Sequence, residues 1–137
     1  MKKTYIALIM ALVLCALLAG CDAATYTFTG VGNKTTIEVN NAEDGAFAES
    51  QWFSVGKGRT AVVESALDKG ELKIDFAEAT IFAHEDGPED VIVGDVIASV
   101  TVGPGDRAEF PLDKGDYVLQ VTAVGTANGK VVVDIQK

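Results

Sequence analysis

In residues 115–124, GDYVLQVTAV, the side chains of Tyr117, Leu119, Val121 and Ala123 fall on one side of an extended chain. Val118, Gln120, Thr122 and Val124 fall on the other. A period of two marks a half-buried strand, because successive side chains of an extended backbone point to opposite faces. Residues 129–136 repeat the pattern, with Val131, Val133 and Ile135 on the apolar face. Asn128-Gly129 between the two favours a tight turn with positive φ, which predicts a hairpin. The same alternation recurs upstream, bounded by turn signals every 8–12 residues or so, and no segment carries a sustained apolar stripe of helical period. Residues 41–50, NAEDGAFAES, are the weakest exception. Gly45 interrupts them, which reduces them to a loop or one turn.

Candidate strands are 25–30, 35–40, 50–55, 60–65, 70–83, 91–102 and 107–112, besides the closing pair. Within 70–83, Leu72, Ile74 and Phe76 alternate cleanly and the pattern slips near Ala77–Ala79, as at a bulge or a change of sheet. Gly94-Asp95 marks a second bulge or bend. Pro111 has no N–H, which places it on an edge or at a non-bonded position. Asp-Lys-Gly enters an alternating strand twice, at 68–70 and at 113–115, which suggests a shared turn geometry rather than a duplication. About nine short strands of this kind predict an all-β fold: an antiparallel two-sheet β-sandwich, jelly-roll-like or immunoglobulin-like. Tyr26, Ile37, Leu72, Ile74, Phe76, Tyr117, Leu119 and Val133 head the expected core, together with Trp52 or Phe53.

The first 24 residues follow a different logic. Lys2 and Lys3 precede an uncharged apolar run from 5 to 19, YIALIMALVLCALLA. About 20 residues are needed to span a bilayer, so the run suits the core of a secretory signal peptide. It ends in Leu18-Ala19-Gly20-Cys21, which resembles the bacterial lipobox. The resemblance implies cleavage before Cys21 and a diacylglyceryl thioether on its sulfur. The alternatives are an ordinary signal peptide cut near Gly20 or Ala23, or an uncleaved anchor. Lipidation also accounts for a thiol that has no partner, because Cys15 lies in the removed segment and the mature chain holds no second cysteine. The implied organisation is a signal peptide at 1–20, a lipidated end and short tether at 21–24, and one domain at 25–137. The implied location is the extracytoplasmic face of a bacterial membrane. Asp22 after the cysteine resembles an inner-membrane retention signal.

Two of the 11 basic residues precede Cys21 and all 20 acidic residues follow it, so the mature chain carries a net charge of −11. Such a surface disfavours nucleic acid and anionic lipid as partners. Catalytic chemistry has little to stand on, since His84 is the single histidine and no carboxylate pair stands apart from the general acidity. The stretch HEDGPED at 84–90 offers Glu85, Asp86, Glu89 and Asp90 as oxygen ligands for calcium, without the spaced ladder of an EF-hand loop. The other candidate site is SQWFSVGKGR at 50–59. Trp52 and Phe53 face opposite ways in a strand, so one is free to form a binding surface with Gln51 and Arg59.

Residues 110–135 resemble the last strands of secreted β-sandwiches, carbohydrate-binding modules and pre-peptidase-type domains among them. The resemblance concerns fold and carries over no catalytic residue. The expected function is that of a non-catalytic, membrane-anchored lipoprotein that binds an unidentified ligand, a glycan or an envelope protein, or serves an envelope structure. The alternative is a carbohydrate-binding module built around Trp52 and assisted by calcium. A small hydrolase working through two carboxylates is the third reading.

Overall fold

The computed structural model describes residues 25–137, which fold entirely into antiparallel β-structure. The strands are β1 (Tyr26–Val31), β2 (Lys34–Ala42), β3 (Phe47–Glu49), β4 (Phe53–Val55), β5 (Arg59–His84), β6 (Gly87–Val102), β7 (Arg107–Leu112) and β8 (Gly115–Gln136). Cys21 and the signal-like segment lie outside the described residues.

Two long strands, β5 and β8, pair along most of their length and organise the rest. The early part of β5 and the late part of β8 belong to one half of the sheet, ordered β1, β2, β8, β5, β7. The late part of β5 and the early part of β8 belong to the other half, with β3 and β4 on the β8 side and β6 on the β5 side. The sheet curls, and the inner faces of both halves close on one core. Phe76 from one half meets Phe110 from the other edge-on, with ring centroids 5.3 Å apart. Phe76, Ile37, Leu72, Ile74 and Leu119 have no solvent exposure. Each such side chain contributes about 1.5–3 kcal/mol through its removal from water. Tyr26, Val39, Tyr117, Val133 and Ile135 are also buried, while Phe28, Phe53 and Val100 pack against the core from its rim.

The curl is made at one place. Pairing of β5 with β8 shifts register between Leu67 and Glu71, opposite Val124–Gly129. Before the shift the core takes odd residues of β5 (Ala61, Val63, Leu67); after it the core takes even ones (Leu72, Ile74, Phe76). Over the shift β5 advances four residues while β8 advances five, and this net slip of one turns the other face of β5 inward. Gly70 (φ 73°) and Gly129 (φ 125°) occupy the crossing. A Cβ on Gly129 would lie 2.6 Å from the Leu67 Cα, and one on Gly70 would lie 2.3 Å from the Thr126 carbonyl oxygen. Only glycine permits both the backbone angle and the contact.

Several expected features are corrected by the strand pairing. Residues 115–124 and 129–136 are one bent strand, not a hairpin, because Asn128-Gly129 bends the chain instead of reversing it. For the same reason 60–65 and 70–83 join as β5. The two Asp-Lys-Gly segments share no geometry: Gly70 sits at positive φ inside a strand and Gly115, which opens β8, does not. The expected strand at 50–55 is realised only as β4, and β3 forms inside the 41–50 stretch. Pro111 lies on β7, which pairs only with β5, so its missing N–H costs the sheet no bond on the free side. The slip near Ala77–Ala79 is a double bulge whose extra residues belong to β6, at Gly94-Asp95 and at Ile97. The Tyr117 hydroxyl donates to the Asp113 carbonyl at 2.7 Å, a hydroxyl-to-backbone lock of the kind that fixes corners in β-sandwiches.

Candidate functional site

Trp52 lies in the segment between β3 and β4, outside any strand. It is half-buried on the outer face of the sheet, against Ala77, Ala79 and Val118, with Ile81 and Val93 beside it. Its indole N–H donates to Glu89 at 3.3 Å. The ring is thus engaged as a cover for the sheet. Phe53 turns the other way and meets Tyr117 at 6.2 Å. The Gln51 side-chain nitrogen is buried with no hydrogen-bond partner. Arg59 opens β5 opposite Leu112, with its guanidinium over Gly56. Gln51, Trp52 and Arg59 therefore occupy three different settings.

Of the four carboxylates proposed for calcium, Glu85 and Asp86 form the two-residue turn between His84 and Gly87. Glu89 accepts from Trp52, and Asp90 lies 2.6 Å from the His84 Nε2. Among the described residues, no group of three or more His, Cys, Asp or Glu side chains is placed to hold a metal ion.

A different place has the form of a site. A cleft of about 500 Å³ opens on the outer face beside the bend. Its floor is a row of directly opposed residues across four strands. Thr27 of β1 faces Glu38 of β2, Glu38 faces Lys130 of β8, and Lys130 faces Ala66 of β5. Asn40, Asp68 and Asn128 stand at one end of this row. The Asn128 side chain is already committed. Its oxygen accepts the Asn41 backbone N–H at 3.1 Å, and its nitrogen donates to Asp68 at 3.0 Å. That clamp holds the irregularity of β2 between Val39 and Ala42, where Asn41 takes a left-handed φ of 46°. Thr27, Glu38, Asn40 and Lys130 present a hydroxyl, a carboxylate, an amide and an ammonium from rigid backbone. They combine donors and acceptors in one concave surface.

The sequence pattern does not join Thr27, Glu38, Asn40, Asp68, Asn128 and Lys130 into one site. They lie far apart along the chain, and only the strand register aligns them. Thr27, Glu38 and Lys130 are the polar members of alternating strands, which by themselves read as solvated faces. The available signal was Asn128-Gly129, and it pointed to a turn.

No family model matches the chain, and no curated protein matches it. Among solved structures, one of a CBM4 module is similar at 11% identity and a TM-score of 0.42, over 81% of this chain and 77% of that one. A hydroquinone 1,2-dioxygenase, PnpCD, is similar at 14% identity and a TM-score of 0.38, over 85% and 66%. The CENP-C cupin domain of Drosophila melanogaster follows at 12% identity and a TM-score of 0.33, over 93% and 96%. These are distant likenesses to three differently named proteins, and none of them assigns a ligand.

Proposed function

We propose that this chain is a non-catalytic binding module, held at the outer face of a bacterial membrane by acylated Cys21, and that its cleft receives a saccharide. The observation that carries the reading is the cross-strand row Thr27, Glu38, Lys130, with Asn40 and Asp68 at its end. A sugar ring offers adjacent hydroxyls that each donate and accept. A fixed alternation of carboxylate, ammonium, amide and hydroxyl complements them, and a site on strands needs no reordering to bind. Trp52 is not part of this reading, because its ring already covers the outer face.

The test is calorimetric titration of the protein with a panel of neutral and acidic oligosaccharides, repeated with Glu38→Ala and Lys130→Ala. Both positions are exposed, so neither change disturbs the core. At least one sugar is expected to bind, each variant to weaken it tenfold or more, and Trp52 emission to stay unchanged. Binding that survives both substitutions, or that quenches Trp52, moves the site to the 50–59 segment. Failure of every sugar removes the saccharide reading.

A further inference from the structure

We propose that the free edge of β6 is a docking strand for an extended segment of a partner protein in which apolar and basic side chains alternate. The proposal concerns other strands than the cleft and stands independently of the saccharide. β6 is 16 residues long and pairs with β5 alone. Half of its backbone N–H and C=O groups therefore face away from the sheet, a row that can template another strand. Beyond Glu78, β5 also loses β8 as a neighbour, so residues 79–93 project as a two-stranded arm. A two-stranded ribbon is marginal in water without cover. Trp52 covers one face of it; on the other face Phe82 and Ile92 are 47% and 57% exposed. Val91, Val96 and Ile97 of β6 are also exposed. This is the largest concentration of exposed apolar side chains among the described residues, with Val91, Ile92, Val96 and Ile97 on the open-edged strand β6 and Phe82 beside them on β5.

Charge selects the occupant. No lysine or arginine occurs between Lys73 and Arg107, while Asp75, Glu78, Glu85, Asp86, Glu89, Asp90, Asp95 and Asp106 all do. A second copy of this chain would bring two such arms together and is opposed by their repulsion. The double bulge at Gly94-Asp95 and Ile97 further breaks the flat register that self-pairing would need. An added strand with basic residues meets Glu89, Asp90 and Asp95 on β6 itself, the Asp90 carboxylate being shared with His84 at 2.6 Å. Asp90 shares a face with Phe82 and Ile92, since Phe82 pairs with Asp90 and Thr80 with Ile92. Alternate positions of the incoming strand on that face then meet apolar surface and carboxylate in turn. Main-chain bonds supply the affinity and the side chains the choice of partner.

The experiment uses the full-length lipoprotein in nanodiscs of zwitterionic lipid and two labelled ten-residue peptides, one alternating valine with lysine and one alternating valine with glutamate. The lysine peptide is expected to bind at least tenfold more tightly, to weaken as salt is raised, and to slow hydrogen exchange in residues 87–102. The double variant Asp90→Lys with Asp95→Lys, at exposed positions, is expected to lose at least tenfold while its unfolding temperature holds. Equal binding of both peptides overturns the proposal. So does protection confined to other strands, which would signify general attraction to an acidic protein. Self-association of the lipoprotein that protects 87–102 without peptide also overturns it, in favour of a second copy.

Discussion

Gly129 and Gly32 both hold positive φ, yet their surroundings differ in kind. Gly32 turns the chain between β1 and β2 in open space. Replacing it with alanine costs about 1–2 kcal/mol, the ordinary penalty of the left-handed region. At Gly129 the added methyl also meets the β5 backbone, which has no rotamer by which to retreat. Gly129→Ala is expected to cost on the order of 3 kcal/mol or more, because the two long strands must part for it. Urea unfolding midpoints of the two variants check the ranking, and equal losses would mean that the crossing relaxes easily. Two phenols make a second test. Burial pushes the ionisation of Tyr26 and Tyr117 above the ordinary value of 10. Their neutral forms therefore stabilise the fold fully below about pH 10. That contribution is lost as pH rises above 10 through the higher folded-state values, because the unfolded chain releases its protons first. The unfolding temperature is expected to fall over that range, and to fall less in a Tyr26→Phe, Tyr117→Phe double variant. Parallel decline in both proteins would assign the alkaline loss to other groups.

At the scale of the element, the alternation in 115–124, 129–136 and 70–76 made strand positions and most of the core legible. A period of two records which face of a strand is dry, and Tyr117, Leu119, Ile74 and Val133 follow it. It does not record which strands are neighbours, nor whether a glycine reverses the chain or bends it. Asn128-Gly129 has the chemistry of a turn, and the paired run of β5 opposite it turns the same residues into a bend. The cleft was illegible for the same reason, since its row exists only through register. Trp52 shows the converse: its neighbours Gln51 and Arg59 are close in the chain and occupy separate settings. As a cover over Ala77, Ala79 and Val118, Trp52 steadies the arm more than the core. Trp52→Ala is expected to cost about 2 kcal/mol, the value of a half-lost apolar burial. It should speed hydrogen exchange in 79–93 ahead of that at Ile74 or Leu119. Uniform acceleration would place the ring in the global fold instead.

For the molecule as a whole, the lipid attachment proposed at Cys21 yields a direct expectation. Cys21→Ser should abolish metabolic labelling with palmitate and leave an unlipidated precursor, with the folded domain unaltered by circular dichroism. Retained label would end the lipoprotein reading. The acidic surface adds a second expectation at this scale. If the chain is cut before Cys21 as proposed, its net charge is −11, and repulsion between copies is expected to keep the domain monomeric at low salt. Sedimentation at low and high salt reads this directly.

Tyr26, which opens the first strand, follows Cys21 by five residues, and the cleft begins one residue later at Thr27. Five residues of chain reach about 18 Å at most. If Cys21 is acylated as proposed, this is a short leash. The cleft then works close to the bilayer, and the molecule searches by sliding in a plane. Whatever fills the cleft must itself come to the membrane surface, and encounter depends on how crowded that surface is instead of on concentration in the surrounding fluid.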